Sequence, residues 1–186
     1  KQTLILSLIL ISFCGSLFAA KIMSPTAYSI EQEEGLDWGV FCIAFSNNAA
    51  WIGTELGLMG SYLSSPHITS MLDSKNCDLP GDIINVLAEK EPGIFCVATD
   101  AGLAILDPIN YAATIPEQSP LVGKSILSLA VDQKGVLWVS SFIVDDRGWP
   151  VGAGLSSYDG NSWQSFTTAN STLPKEWIRS IVVGAD

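Results

Sequence analysis

The residues best suited to bind a ligand are gathered in one short polar segment, 143–152. It holds Asp145, Asp146, Arg147 and Trp149. The face of an indole ring packs on the C–H groups of a sugar, while carboxylates and a guanidinium hydrogen-bond its hydroxyl groups. The segment is therefore a candidate carbohydrate site. The alternative is a solvated hairpin extension whose tryptophan covers a neighbouring part of the fold.

Residues for covalent or metal chemistry are scarce. The 186 residues include one histidine and four cysteines, without the CxxC or HxxxH spacing of a zinc site. No nucleophile can be matched with a base, and paired carboxylates are easily found in a chain with 19 acidic residues. Asp145 and Asp146 together with Asp82 offer oxygen atoms to calcium, but no full calcium-loop motif is present. We expect no catalytic residue, no metal and no cofactor.

The composition restricts the class of partner. Nine Lys and Arg against 19 Asp and Glu give a net charge of -10, which opposes binding to a nucleic acid backbone. With 48% hydrophobic and 15% charged residues, the chain is too apolar to be disordered. Its length is enough for one domain with a substantial core.

The first residues resemble an export signal. A 17-residue apolar stretch, 4–20, follows Lys1, and no carboxylate precedes Glu31. This pattern predicts a signal peptide over 1–19, with an uncleaved anchor helix or a lipoprotein modified at Cys14 as alternatives. Each of them exports the remainder to the periplasm or the outside. We expect contact with a membrane only through this segment or through a region downstream of the sequence.

An internal repeat determines the fold. Residues 51–58 recur 45 positions later at 96–103, and a third copy begins at Trp138, another 42 positions on. The third copy contains a ten-residue insertion, which is the polar segment 143–152. The insertion therefore occupies a defined place in the repeat, in the loop between its second and third strands.

Each repeat is predicted to contain four short strands. In the third copy they cover 125–132, 136–142, 153–158 and 162–167, separated by turn residues such as Asp159-Gly160. Four strands at a period near 42 residues are typical of a propeller blade. The fold class is all-β, a β-propeller of four-stranded antiparallel blades. About three and a quarter blades are present, so the ring is incomplete.

The repeat also sets the domain organisation. After the signal peptide, 20–36 could supply a ring-closing strand, and 37–186 form the partial propeller. The predicted blades cover about 37–73, 80–116 and 123–168, with the start of a fourth at 175–186. Because closed propellers have at least four blades, we expect a piece of a longer protein. The alternative is self-association through the open blade faces.

The three cysteines beyond the signal peptide are an odd number, so at least one is free or pairs with another chain. The repeat places Cys42 opposite Leu129 and Cys96 opposite Trp51. We therefore expect Cys42 and Cys96 to be buried thiols, and the sequence leaves open how Cys42, Cys77 and Cys96 pair.

The repeat resembles the two-component regulator propeller family over residues 27–186. The matching residues are Trp51-Ile52-Gly53-Thr54 with Gly57-Leu58, then Asp132-x-x-Gly135-x-x-Trp138-Val139, and Tyr158-Asp159-Gly160-Asn161-Ser162-Trp163-x-x-Phe166. Departures are Cys96 in place of tryptophan, a weak fourth strand around 112–115, and the insertion. The resemblance implies a periplasmic or secreted bacterial module, often the sensory input region of a hybrid histidine kinase that responds to glycans.

The expected function is therefore an exported, non-catalytic propeller that binds a glycan, another small ligand or a protein for two-component signalling. The alternatives are a secreted structural or adhesion propeller and a fragment of a glycan-active propeller enzyme. In a propeller, loops between strands two and three share one face with the connections between blades. The candidate ligand site on that face consists of Asp145, Asp146, Arg147, Trp149, Trp38 and Trp177.

Five other residues are expected to have structural roles. Trp51, Trp138 and Trp163 recur at blade positions and are predicted to belong to the core. Asp132 is expected to cap the turn that it begins, and His67 to lie in an outer strand.

Overall fold

A computed structural model describes residues 39–62, 65–121 and 123–184. The predicted signal peptide, the segment 20–36 and Trp38 lie outside the described residues. The described chain contains strands and turns, with no helix assigned in it. The first six strands are β1 (Val40–Ser46), β2 (Ala49–Thr54), β3 (Gly57–Tyr62), β4 (Ser65–Leu72), β5 (Ile84–Glu91) and β6 (Ile94–Thr99). The next six are β7 (Leu103–Asp107), β8 (Ala112–Thr114), β9 (Ser125–Val131), β10 (Leu137–Val144), β11 (Pro150–Tyr158) and β12 (Trp163–Phe166).

The strands form three antiparallel sheets of four, each built from strands that follow one another along the chain. Blade 1 is β1 to β4, blade 2 is β5 to β8, and blade 3 is β9 to β12. The all-β propeller prediction is confirmed, and the described blades do not close a ring. His67 lies in β4, the outermost strand of blade 1.

The repeated sequence motif forms a turn. The Thr54 hydroxyl donates to the Gly57 carbonyl over 2.8 Å, and the equivalent Thr99 donates to the Gly102 carbonyl over 3.0 Å. Both glycines have positive φ, 134° and 149°, which side chains disfavour. A Cβ atom on Gly57 would also lie 2.3 Å from the Leu72 carbonyl oxygen. The motif thus fixes the turn between the second and third strands of a blade.

Apolar side chains bury the faces between blades. Along β6, Phe95 and Val97 pack in the cluster between blades 1 and 2, while Cys96 and Ala98 pack in the cluster between blades 2 and 3. All four have no exposed surface. Because side chains alternate along a strand, a middle blade needs apolar residues at every position of its inner strand.

The register corrects the position of one cysteine. Cys42 pairs with Gly53 and Ser128 pairs with Ser140, so Cys42 is equivalent to Ser128 rather than to Leu129. The offset arises because Ser128 and Ser140 are 12 positions apart in the chain, whereas Cys42 and Gly53 are 11 apart. Cys42 is half-buried, and its thiol donates to a backbone carbonyl of blade 2 at 3.7 Å.

Segment 175–184 lies against blade 3 without strand pairing. The sequence predicts the first strand of a fourth blade there. The Ile181 amide donates to the Ser128 hydroxyl over 3.0 Å. A first strand is normally held by the second strand of its own blade, and the described residues contain no such partner for this segment.

Candidate functional site

The ten-residue insertion is a β-hairpin rather than an irregular loop. Strands β10 and β11 continue into it through the pairs Phe142 with Gly152, Ile143 with Val151 and Val144 with Pro150. The β-branched side chains in these pairs favour extended backbone. The insertion therefore makes the two central strands of blade 3, β10 and β11, longer than the repeat predicts.

Five residues, 145–149, close this hairpin and are named here the hairpin tip. The Gly148 amide donates to the Asp145 carbonyl over 2.8 Å, and the Asp145 amide donates to the Trp149 carbonyl over 2.9 Å. Gly148 has φ 80°, as the last position of a type I turn with a bulge requires. The tip thus has a defined backbone on which its side chains are displayed.

The Asp145 carboxylate organises the tip from within. It accepts hydrogen bonds from the amides of Arg147 and Trp149, both at 2.9 Å. It also accepts from Arg147 Nε at 3.0 Å and Nη2 at 2.7 Å. These bonds, first that from the Trp149 amide and then those from Arg147, hold the pKa of Asp145 below its usual value. Asp145 therefore positions its neighbours and has little capacity left for a ligand.

The other tip side chains face solvent. The Trp149 residue is 66% exposed and the Arg147 side chain is 79% exposed. Asp146 is exposed as well. An indole, a guanidinium and a carboxylate thus stand exposed on one hydrogen-bonded turn.

Trp177 belongs to the base of the hairpin. Its ring is half-buried and lies 5.6 Å from that of Phe142, centroid to centroid. A Cβ atom on Gly152 would lie 2.5 Å from backbone atoms of Glu176 and Trp177. The Gly154 amide donates to the Glu176 carbonyl over 3.1 Å. Segment 176–177 therefore supports the hairpin directly, which only a residue without a side chain at 152 allows.

Of the six predicted ligand residues, the hairpin tip holds Asp145, Asp146, Arg147 and Trp149, Trp177 lies at the base of the hairpin, and Trp38 is outside the described residues. Sequence reasoning did not recognise Gly152 and Gly154 as contact points. An available signal was the presence of two glycines inside a strand, a pattern that marks close backbone approach.

The three carboxylates considered for calcium, those of Asp82, Asp145 and Asp146, are not grouped into one site. Across 39–62, 65–121 and 123–184, no three His, Cys, Asp or Glu side chains are grouped as metal ligands. The Asp82 carboxylate instead accepts the Ser74 amide at 2.8 Å, within the connection between blades 1 and 2. That bond is the main reason why the pKa of Asp82 lies below its usual value.

Two expectations about structural residues agree with the geometry. Asp132 accepts the amides of Lys134 and Val136, each at 2.9 Å, and the indole N–H of Trp138 at 3.1 Å. Trp51 is 8% exposed and packs beside Phe95. Trp163 is half-buried and packs against the cluster between blades 2 and 3. Trp138 is half-buried, belongs to neither buried cluster and stacks on Phe166, with 5.9 Å between the ring centroids.

Comparisons with known proteins identify the fold. No protein-family profile and no curated protein sequence matches the chain. Among solved structures, it is similar to the extracellular domain of a proposed hybrid two-component system of B. thetaiotaomicron, with 18% identity and a TM-score of 0.52 over 84% of this chain and 26% of that one. A second such domain from this organism matches with 19% identity and a TM-score of 0.50 over 81% and 26%. An ancestral GH74 enzyme matches with 19% identity and a TM-score of 0.53 over 77% and 20%.

These likenesses are between folds. The chain spans about a quarter of the two extracellular domains and a fifth of the enzyme. Within the described residues, no helix is long and apolar enough to cross a membrane.

Proposed function

We propose that this chain is part of an exported β-propeller that recognises a glycan for a two-component signalling protein of the two-component regulator propeller type. Its ligand site is the hairpin tip, and its role is binding rather than catalysis. The observation that carries the proposal is Trp149, an exposed indole on a turn whose backbone is fixed by Asp145.

The rigidity of the tip favours recognition. An exposed tryptophan on a mobile loop loses conformational freedom when it binds, whereas a turn already held by hydrogen bonds loses little. Arg147, on the same turn as the indole, is held by its two side-chain bonds to Asp145 and still exposes most of its side chain. An aromatic face next to polar donors is the arrangement that sugar binding uses.

The charge of the chain favours a neutral glycan. With a net charge of -10, the protein repels uronic acids and sulfated sugars, and Arg147 is already paired with Asp145. The extracellular placement follows the predicted signal peptide over 1–19 and is consistent with a fold shared with extracellular domains.

The test is a titration of the full chain with neutral xylo-, malto- and galacto-oligosaccharides, followed by intrinsic fluorescence and calorimetry. We expect saturable binding of one class that Trp149→Ala abolishes, with the far-ultraviolet circular dichroism unchanged. Phe41→Ala is the matched control, because it removes a ring that is 51% exposed elsewhere on the protein. It should leave binding intact.

Two results would contradict the proposal. Binding that survives Trp149→Ala would remove the hairpin tip as the site. Release of new reducing ends from a bound oligosaccharide would replace recognition with hydrolysis and favour the alternative of a glycan-active enzyme.

A further inference from the structure

The two faces of the hairpin in blade 3 differ in what covers them. Paired residues of antiparallel strands share a face, and successive residues along a strand alternate between faces. The face that carries Phe142 and Gly152 packs against segment 176–177. The Phe142 ring lies 5.6 Å from that of Trp177, and a Cβ atom on Gly152 would lie 2.5 Å from backbone atoms of that segment. The chain itself therefore occupies the base of this face.

The opposite face carries an apolar strip that is open to solvent. Ile143 pairs with Val151, and the Asp145 amide donates to the Trp149 carbonyl, so Trp149 lies two residues from Val151 on the same face. Ile143, Val151 and Trp149 are 42%, 41% and 66% exposed. These three residues are named here the apolar strip.

The apolar strip is on the side of blade 2. Val139 belongs to the buried cluster between blades 2 and 3, and Ile143, four residues further along β10, shares its face. In blade 2, strand β6 ends at Thr99, whose equivalent in β10 is Ser141. The strip therefore begins above the turn 99–102 of blade 2 and continues the interblade core into solvent.

A polar group stands at the head of the apolar strip. Asp145 lies opposite Trp149 and so shares its face, and its carboxylate accepts bonds from Arg147 Nε at 3.0 Å and Nη2 at 2.7 Å. A guanidinium has further N–H donors, and the Arg147 side chain is 79% exposed. Apolar side chains with a few placed polar groups are the usual lining of a small-ligand site.

The size of the apolar strip favours a small ligand over a protein. Three partly exposed side chains make a patch of at most a few hundred Å², whereas a stable protein interface buries about 800 Å² per partner. Val151 lies two residues, about 7 Å, along the strand from Trp149, and Ile143 lies about 5 Å away on the neighbouring strand. One sugar ring on the indole leaves both aliphatic side chains uncovered, whereas a second, linked ring covers them.

We propose that the glycan lies on the blade 2 side of the hairpin, with one sugar ring on Trp149 and a second, linked ring on Val151 and Ile143. The Arg147 guanidinium donates to its hydroxyl groups. The ligand is then at least a disaccharide, and Val151 and Ile143 are ligand contacts. This inference rests on the proposed function and adds to it the side of the hairpin and the minimum length of the ligand.

The experiment titrates the full chain with methyl glycosides, disaccharides and trisaccharides of the xylo, malto and galacto series, followed by calorimetry and saturation-transfer NMR. We expect the disaccharide of the bound series to bind at least about 5-fold more tightly than the methyl glycoside, because its second ring covers aliphatic surface. Val151→Ser removes that surface. It should weaken disaccharide binding roughly 3- to 10-fold and change methyl glycoside binding by less than about 2-fold.

Val144→Ser is the matched control. It makes the same change on the other face of the hairpin, at a residue that is 61% exposed, and should leave the binding of both sugars unchanged. Because both valines are exposed, we expect both variants to keep the circular dichroism of the wild type.

Four results would overturn the inference. Binding that requires Trp149 but is unaffected by Val151→Ser, or is weakened equally by Val144→Ser, would remove the blade 2 side and leave the proposed function standing. A methyl glycoside that binds as tightly as the disaccharide would remove the second ring. A wild-type dimer that Val151→Ser dissociates in light scattering would make the apolar strip an interface between copies. Absence of saturable binding by any of these sugars would contradict the proposed function and this inference together.

Discussion

Replacing Gly152 with alanine tests how the hairpin is supported. The added Cβ atom would lie 2.5 Å from the carbonyl carbon and oxygen of Glu176 and from the Trp177 amide nitrogen. Ordinary contacts of a Cβ atom begin about 1 Å further out, and the obstructing atoms are backbone rather than a flexible side chain. Either the strand or segment 176–177 must therefore move.

Both responses have a similar cost. If the contact stays compressed, the strain is that of an overpacked core, about 1–3 kcal/mol. If segment 176–177 moves away, the protein loses the bond from Gly154 to Glu176 and the ring contact of Phe142 with Trp177. Those losses are about 0.5–1.5 kcal/mol each, so they also sum to about 1–3 kcal/mol.

Urea unfolding followed by circular dichroism measures the change in free energy, and the fluorescence maximum separates the two responses. Movement of the segment exposes Trp177 and shifts its emission to the red, whereas a compressed contact leaves the emission in place. Gly184→Ala is the control, because a Cβ atom there meets nothing within 4 Å. A loss below about 0.5 kcal/mol with unchanged emission would refute the contact between Gly152 and 176–177.

Two further predictions concern titratable groups. Burial raises the pKa of Cys96 from 9.0 to about 12 and that of Cys42 to about 11, so folding favours the neutral thiols. The stabilisation that results is fully present below pH 9 and is lost as the pH rises from 9 toward 12. Cys96→Ala should therefore reduce the loss of unfolding free energy between pH 7 and 10, as measured by urea titrations at each pH. An equal decline of that free energy with pH in wild type and variant would contradict this prediction. Asp132 is the opposite case, because the bonds from the Trp138 indole and from the amides of Val136 and Lys134 hold its pKa below 3.8. The Asp132 carboxylate therefore stabilises the fold above pH 3.8, and this stabilisation is lost as the pH falls through the lowered pKa. Asp132→Ala should lower the melting temperature at pH 7 and reduce the fall of the melting temperature in acid. Melting curves at pH 7, 4 and 3 provide the measurement, and a variant as stable as wild type at pH 7 would disprove the role of the cap.

The fold was accessible from sequence because its signals are local. Thr54 and Gly57 make a turn with each other, and Asp132 caps the turn that it begins. Such signals recur every 42 to 45 residues and mark the ends of strands wherever the chain goes next. The number of strands in a blade and the place of the insertion follow from them without knowledge of any long-range contact.

The composition of the hairpin tip was equally accessible, since its residues are neighbours in the chain. The role of each residue within the hairpin tip could not be predicted from the sequence. The sequence presents Asp145 and Asp146 as equivalent carboxylates, but the turn directs four donors to Asp145 and none of these to Asp146. The direction of a side chain depends on the exact turn, which composition does not specify.

The sequence by itself thus determined the repeat, the four-stranded blades and the residues of the hairpin tip, because turns and strand patterns are set by neighbours in the chain. Only the tertiary structure decided the register of Cys42 and the contact of Gly152 with 176–177. These depend on which residues from distant blades meet and on how much volume each fills.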